Sequence, residues 1–426
     1  MDFTFIHAAD LHLDTPFIGI GQTSPRVAEA LQDASLDAFD ALIDLTLHED
    51  ARFLLLAGDL YDGAQRGIRA QRRFERGLRR LSDRGIRTFI VNGNHDPLSG
   101  WSAIRDWPPW VTSFGSQEVE SVAVMDGEER LATVYGISYP QAKVEENLSL
   151  RFRRQDAEGL HIGLLHANVE GNAEHAPYSP CTLDDLKRAG MDYWALGHVH
   201  TRQILSLAPW VVYPGNLQGR SPKPSERGAK GAMVVRVTRE RHGASGAGFT
   251  VQAPRFVPLD RIRFDTLELD LGGIPDVASL QRTLISQAER LQAEHEGRGL
   301  VLRGILKGRG EVYSELLHPG RLSEILVELR RDGEQRDPLI AWEDLRNEAA
   351  SPLDLALIRQ RGDFSAELLR LHDDRLGDPE RSDAFLKAAL SPLERFSSLL
   401  NEPDPDEAEA LLREARILAL DLLERE

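Results

Sequence analysis

Five short polar blocks in the first half of the chain each follow directly on a short apolar run. Continuous apolar runs of this length predict buried strands. The runs are Thr4–Ala8, Phe53–Leu56, Thr88–Val91, Ile162–Leu165 and Tyr193–Leu196, with a sixth at Val211–Tyr213. The blocks are Asp10-Leu11-His12, Gly58-Asp59-Leu60-Tyr61-Asp62, Gly93-Asn94-His95-Asp96, His166 and Gly197-His198-Val199-His200. Since loops at the carboxyl ends of strands converge on one edge of an α/β sheet, we expect these blocks to meet there.

Helical patterns lie between the predicted strands. Ser24–His48 and Ile68–Leu81 show the helical spacing of apolar residues, and Ser24 followed by Pro25 is a suitable cap and first helical position. Alternating strands and helices favour an α/β layered fold. Residues 119–138 instead predict a hairpin that turns at Asp126-Gly127, so we expect mixed sheets.

The pattern changes near residues 255–262. A small α+β domain is predicted there by an alternating segment followed by a helix, a strand and a second helix. From Ser351 onward the sequence is helical and charged. The segments are Arg263–Gly272, Val277–His295, Leu300–Lys307 and Gly320–Arg331. The expected boundaries are therefore a first domain over 1–257, a small α+β domain over 258–340 and a helical, acidic region over 341–426.

The residue types in the blocks suit divalent cations. Carboxylate and amide oxygens combined with imidazole nitrogens bind Mn, Fe, Zn or Mg. In D-x-H or H-x-H on extended backbone both side chains point to one side, because strand direction repeats every two residues. A lone Asp-x-His is weak evidence for a metal site. All five blocks in this order, each at a strand end, make the metal interpretation much stronger than that of ordinary polar loops.

The series D-x-H, G-D-x-x-D, G-N-H-D, H and G-H-x-H resembles the pattern of the calcineurin-like metallophosphoesterases over residues 1–215. Within that family, FIHAADLHLD, AGDLYD, Asp96 and YPGNLQGRSPKPSERGAKG resemble the SbcD-type DNA repair nucleases, and most closely the bacterial YhaO-type subgroup. Gly63-Ala64 and Asp96 disfavour the Ser/Thr phosphatase branch. The resemblance implies an α/β/β/α sandwich with mixed sheets, a small α+β cap domain and a helical C-terminal region.

The resemblance also implies roles for individual residues. Asp10, His12 and His200 would hold one metal ion, Asn94, His166 and His198 a second, and Asp59 would bridge them. His95 would be catalytic, protonating the leaving oxygen or stabilising transition-state charge. Asp96 would orient His95, while Asp62 would either orient another side chain or cap its loop. Some nuclease relatives carry His at the position of Asp62. The expected cofactors are two divalent ions, with Mn²⁺ the preferred identity.

Charge gives conflicting indications about a nucleic-acid partner. The net charge of −17 opposes one, but residues 65–87 and 219–242 are rich in Arg and Lys. The first stretch is either a solvated helix face or a track for phosphates. The second is the better candidate for DNA contacts, with Arg220, Lys223, Arg227 and Lys230 as the substrate-binding residues.

The function expected from these features is metal-dependent DNA exonuclease or endonuclease activity in DNA repair. Water activated between two metal ions would hydrolyse the phosphodiester. One alternative is a phosphodiesterase or phosphatase that acts on small molecules. Another is a scaffold with weak catalysis that binds an ATPase. The expected partners are DNA, a coiled-coil ATPase subunit of the SbcC type and a second copy of the chain.

Other features carry weaker predictions. Trp101, Trp107 and Trp110 either pack in the core or form a subunit interface. Residues 406–425 predict an amphipathic helix whose apolar stripe packs on its own domain or docks the ATPase; the stripe is Leu411, Ala415, Leu418 and Leu422. We expect His7 and His161 to be structural or to support ligands, and His175 to lie in a surface loop.

Compartment and membrane predictions follow from composition. The single cysteine, Cys181, excludes an intramolecular disulfide and suits a reducing cytosol. No run reaches the roughly 20 apolar residues of a membrane span, and the first residues do not form a secretory signal. We therefore expect a cytoplasmic protein.

Overall fold

Side chains along the first strands alternate between two apolar layers. In a computed structural model of the protein, Phe5 and Phe53 lie in one buried cluster, whereas the neighbouring Ile6 and Leu54 lie in another. Successive side chains of a strand point to opposite faces of the sheet, so the two clusters lie on opposite faces and both faces are covered. The structure describes residues 2–15, 25–63, 67–171, 178–241, 247–350, 353–376, 384–385, 388 and 405–424.

Two mixed sheets form the centre of the amino-terminal part. The first has the order β12-β11-β1-β2-β3-β4, with β13 also paired to β11, and the second has the order β5-β6-β7-β8-β10-β9. The strands of the first sheet are β1 (Phe3–Ala8), β2 (Phe53–Ala57), β3 (Arg87–Val91), β4 (Val111–Ser113), β11 (Gly231–Arg241), β12 (Ala247–Val251) and β13 (Arg255–Pro258). Those of the second are β5 (Glu120–Asp126), β6 (Glu129–Gly136), β7 (Leu160–His166), β8 (Tyr193–Gly197), β9 (Gln203–Leu207) and β10 (Trp210–Tyr213).

The two sheets pack face to face, and helices cover their outer faces. Phe89 from the first sheet and Ile162 from the second share the cluster between the sheets. Outside the first sheet lie α1 (Pro25–His48) and α2 (Ile68–Ser82), and outside the second lies α3 (Leu183–Arg188). The expected α/β/β/α sandwich with mixed sheets is confirmed, as is the hairpin at Asp126-Gly127 between β5 and β6. The proposed cap at Ser24 lies outside the described residues.

Acidic residues of α1 pair with three arginines of α2. The guanidinium of Arg73 contacts both Asp37 and Asp40, Arg80 lies 2.7 Å from Asp44, and Arg69 pairs with Asp33. Exposed pairs of this kind add little stability, but they consume the charge that a phosphate track would need. The structure thus favours the interpretation of α2 as a solvated helix face.

A third sheet of order β14-β15-β16 follows the sandwich. Its strands and the helices near it are β14 (Ile262–Asp270), α4 (Val277–Glu294), β15 (Gly299–Lys307), α5 (Tyr313–Leu316), α6 (Arg321–Glu334) and β16 (Ile340–Asn347). All four predicted elements of this region are present. The chain divides into two compact units, the larger formed by residues 1–266, 288–303 and 329–344 and the smaller by 267–287, 304–328 and 345–426. The domain boundaries at 257 and 340 stay a prediction.

Within the described residues of the smaller unit, three carboxy-terminal helices are present, α7 (Leu355–Gln360), α8 (Phe364–Leu376) and α9 (Pro405–Leu423). Ile358, Leu369 and Leu420 form their buried cluster. The stripe predicted on α9 faces the other way, since Leu411, Leu418 and Leu422 are 47%, 58% and 60% exposed. The alternative that this stripe packs on its own domain is therefore wrong. None of the described helices combines the length and apolar composition of a membrane span.

The three tryptophans do not share one environment. Trp107 packs against Phe74 at 6.3 Å between ring centroids, whereas Trp101 and Trp110 are 54% and 43% exposed. The guanidinium of Arg87 lies 4.9 Å from the ring centroid of Trp110. Core packing thus holds for Trp107 alone among the three.

Candidate metal centre

The predicted polar blocks meet at the carboxyl ends of the central strands. Asp10 and His12 follow β1, Asp59 follows β2 and Asn94 follows β3. From the second sheet, β7 ends on His166, and β8 is followed by His198 and His200. Because the sheets face each other, their adjoining edges bring both sets together in the larger unit.

Asp10, His12 and His200 form the first group of donors. Each offers one ligand atom within 4.8 Å of the others. The Nε2 atoms of His12 and His200 are 3.1 Å apart. Donors bound side by side to one cation at about 2.1 Å lie roughly 3 Å from each other, so this spacing fits a shared ion.

Asn94, His166 and His198 form the second group. Asn94 Oδ1 lies 3.0 Å from His166 Nε2 and 3.2 Å from His198 Nδ1. The main-chain N–H of His198 donates to both carboxylate oxygens of Asp10 at 3.0 and 3.1 Å. The two groups are thus fixed to each other through this backbone contact.

Asp59 lies between the two groups. Its Oδ2 is 3.9 Å from His12 Nε2 and 3.4 Å from His166 Nε2. Its Oδ1 accepts the backbone N–H of His95 at 2.9 Å. One carboxylate oxygen within reach of both groups is the arrangement that a bridging ligand requires.

Burial gives the centre an unusual balance of charge. It raises the pKa of Asp10. Burial would also raise the pKa of Asp59, but His166, His12 and His95 outweigh it and lower that pKa. For His166, burial would lower the pKa, yet the carboxylates of Asp59 and Asp10 raise it to about 9. The carboxylates thus draw positive charge to this position, which a proton or a divalent cation can supply.

The backbone at the centre is strained. Asp10, His12, Asp59 and His198 all have positive φ, at 51°, 43°, 50° and 104°. Non-glycine residues rarely adopt this region, and such strain is often found at functional sites. Position 197 requires glycine, because a Cβ on Gly197 would lie 1.8 Å from the carbonyl oxygen of Ala57.

The carboxylate on the His95 ring is that of Asp62, which lies 2.8 Å from His95 Nδ1. The sequence predicted that Asp96 would orient His95, which stays a prediction, but the carboxylate in contact with this ring belongs to another residue. The Asp96 carboxylate instead accepts the backbone N–H groups of Leu60 and Gly93 at 2.9 and 2.8 Å, which ties two ligand loops together. The spacing G-D-x-x-D was the available signal for Asp62.

The predicted DNA-contacting residues have different environments. Lys230 is buried, with Nζ donating to the carbonyl oxygens of His200 and Ser225, so the prediction that it contacts DNA is wrong. Arg220 donates to Asp62 Oδ2 at 2.7 Å. Lys223 is exposed and Arg227 half-buried, its Nε donating to the Pro222 carbonyl oxygen.

Sequence reasoning missed Glu226. It is buried beside the first donor group, and its Oε1 lies 2.7 Å from His200 Nδ1. The available signal was an acidic residue inside a basic stretch. His7 and His161 are structural, bonded to the hydroxyls of Tyr193 and Tyr135 at 3.1 and 2.8 Å. His175 lies outside the described residues.

Oxygen and imidazole donors at these spacings fit divalent metal ions on both sides of Asp59. A family model described as calcineurin-like phosphoesterase matches residues 3–202. The chain carries a calcineurin-like metallophosphoesterase domain. A second model, described as the middle domain of metallophosphoesterase YhaO, matches residues 264–350.

Three relatives align with the phosphoesterase domain. The chain is 44% identical over 239 residues to the uncharacterized metallophosphoesterase YhaO of Bacillus subtilis, which covers 56% of this chain and 58% of that protein. It is 30% identical over 241 residues to the DNA double-strand break repair protein Mre11 of Sulfurisphaera tokodaii, an alignment that covers 54% of this chain and 58% of that protein. It is 29% identical over 233 residues to the DNA double-strand break repair protein Mre11 of Thermoplasma acidophilum, and this alignment covers 51% of this chain and 56% of that protein. The matches thus span little more than half the length of each relative.

Gly197→Ala should damage both stability and metal binding. The added Cβ meets main-chain atoms of the facing sheet, so strands must separate, at a cost of about 1–3 kcal/mol or more. His198 follows directly and would move with them. We expect a lower free energy of unfolding in urea and fewer bound Mn²⁺ ions per chain. Gly248→Ala is the control, since nothing lies within 4 Å of its added Cβ. Equal behaviour of the two variants would contradict the packing argument.

Proposed function

We propose that this protein is a Mn²⁺-dependent DNA exonuclease or endonuclease that acts in DNA repair. The observation that carries the proposal is the position of His95. Its ring centroid lies 5.0 Å from that of His12, and its side chain is 39% exposed beside a buried donor set. Similarity to proteins named for DNA double-strand break repair supports DNA as the substrate.

The metal ions would be held by the residues that converge on Asp59. One side would be Asp10, His12 and His200, and the other Asn94, His166 and His198, with Asp59 shared. When bound, two such ions supply an activated water and offset charge on the phosphate. The donors are oxygen and imidazole nitrogen without thiolate, which is compatible with Mn²⁺. Cys181 lies in a separate buried cluster.

His95 would act on the leaving oxygen. Asp62 accepts from Nδ1, which fixes the ring and leaves Nε2 for the substrate. The hydrogen bond to Asp62 is the main cause that raises the pKa of His95, so the protonated ring that can donate from Nε2 is favoured. Asp62 therefore takes the positioning role that sequence reasoning gave to Asp96.

Arg220 would bind the phosphate. Its side chain is 20% exposed beside Asp62, to which one guanidinium nitrogen donates at 2.7 Å. An arginine guanidinium that is partly open to solvent can contact a non-bridging phosphate oxygen. Lys223 and Arg227 are proposed as additional contacts along the DNA.

Cleavage of labelled linear DNA with Mn²⁺ tests the nuclease. We expect Asn94→Ala to lose activity and one bound ion. His95→Ala should retain both ions but cleave about 10²–10⁴-fold more slowly, the range for loss of proton transfer. The control is His48→Ala, because the exposed His48 ends α1 and precedes β2, at the opposite end of that strand from Asp59.

Other outcomes separate the alternatives. Hydrolysis of bis-p-nitrophenyl phosphate with intact DNA would favour a phosphodiesterase for small molecules. No cleavage of either substrate, even with an ATPase partner, would favour a scaffold. Fewer than two bound ions in the loaded protein would contradict the dinuclear centre.

We further propose that α9 docks a coiled-coil ATPase of the SbcC type. Its exposed stripe has helical spacing suited to another helix, and Leu418 also borders an open groove of about 400 Å³ lined by Tyr313, Ala349 and Ile417. The stripe belongs to the smaller unit, as does the groove.

Leu418→Glu should abolish this docking. A charge in an apolar helix interface must be desolvated, so we expect at least about a tenfold loss of affinity for the ATPase coiled coil. Leu357→Glu, at an exposed leucine of α7, should bind like the unchanged protein. Equal binding by all three proteins in calorimetry would reject α9 as the docking helix.

A homodimer is proposed through the exposed tryptophans. Trp101→Ser combined with Trp110→Ser removes apolar surface from that contact, so analytical ultracentrifugation should show a shift from dimer to monomer. Leu207→Ser is the control, because Leu207 is 66% exposed on β9 of the other sheet. A dimer that survives the double substitution would exclude this surface.

A further inference from the structure

We infer that Glu226 is a positioning residue that couples metal binding by His200 to the placement of Arg220. This inference rests on the proposed metal centre. Glu226 lies in a short 3₁₀ turn, Pro224–Glu226, and is 7% exposed. A buried carboxylate is costly unless each oxygen is hydrogen-bonded, so its partners define what it does.

Among the described residues, three donors contact this carboxylate. Oε1 lies 2.7 Å from Nδ1 of His200. Oε2 accepts the side-chain amide of Asn216 at 2.7 Å and the backbone N–H of Arg220 at 3.1 Å. One oxygen thus serves the imidazole, and the other serves the loop that carries the arginine.

The contact with His200 selects one tautomer. When Nδ1 carries the proton that Glu226 accepts, Nε2 keeps its lone pair. That Nε2 is the atom 3.1 Å from Nε2 of His12. Carboxylates in this position hold the rings of histidine ligands in a fixed orientation.

The main chain of His200 is held as well. Lys230 Nζ donates to its carbonyl oxygen at 2.8 Å. Gly215, at φ +80°, approaches so closely that a Cβ would lie 2.8 Å from that oxygen. Ring and backbone of His200 are therefore both fixed by residues 215–230, which explains why two charged residues of this basic stretch are buried.

Arg220 extends the connection to the catalytic side. Its backbone bonds Glu226, its guanidinium bonds Asp62, and Asp62 bonds His95. A change at Glu226 can therefore reach His200 directly and His95 through two further contacts. A carboxylate that only stabilised the fold would not connect metal binding by His200 with the placement of His95.

Calorimetric titration of the full chain with Mn²⁺ tests the inference. In Glu226→Ala we expect one of the two ions to bind about 10–100-fold more weakly, with the other changed less than threefold. Glu226→Gln retains an acceptor for His200 but presents an amide to two donors. It should keep metal affinity closer to the unchanged protein while raising KM for bis-p-nitrophenyl phosphate.

The control is Glu49→Gln. Glu49 is also largely covered and pairs with Arg255 and Arg236, but it precedes β2 and so lies at the opposite end of that strand from Asp59. We expect both ions to bind normally in this variant. Thermal unfolding of all variants separates loss of fold from loss of one ion.

Two results would overturn the inference. Glu226→Ala could bind both ions with unchanged affinity, or it could lose both ions together with a collapse of the unfolding midpoint. A failure of the nuclease proposal would give a different experimental result. An unchanged protein that binds two ions and cleaves no DNA rejects the nuclease while the effect of Glu226 on metal affinity stands.

Discussion

Two buried carboxylates, Asp10 and Asp59, govern the arrangement of the larger unit. Both are almost completely buried, so the charge of each depends on nearby positive groups and N–H donors. Those donors come from both sheets: the N–H of His198 reaches Asp10, and the ring of His166 reaches Asp59. The sheets approach closely at this edge, which accounts for the glycine at 197, and four of the polar residues there have positive φ.

Much of the fold could be predicted because the apolar pattern is local. The alternation at Phe5 and Ile6 gives two buried faces, and the helical spacing within Ile68–Leu81 gives α2 to within a residue. The strand β11 was missed, since Gly231–Arg241 was interpreted through its arginines. Its pairing partner β1 lies more than two hundred residues away, with Phe3 opposite Val237, and no local pattern carries that information.

The candidate site likewise contains residues that the sequence predicts and residues that it does not. The donor residues could be found from sequence because each follows a strand, and strand ends converge. The residues that orient them could not be assigned, because orientation depends on loops that fold across one another. Asp62, in the loop after β2, contacts His95 in the loop after β3, and Glu226 contacts His200 from a turn beyond β10. Asp96, adjacent to His95 in sequence, instead binds backbone N–H groups of two loops.

The distribution of cations narrows how a chain of net charge −17 can engage DNA. Three arginines of α2 are paired with α1, and Lys230 is buried beneath His200, so part of each basic stretch is not available to phosphates. Under the proposed function, phosphate recognition concentrates at the centre itself, where Arg220 lies beside His95 and the metal donors. Counterion release from so few contacts is small, so binding along an extended duplex would depend on basic surface supplied by a partner. A requirement for the ATPase would then follow from charge as well as from the exposed stripe of α9.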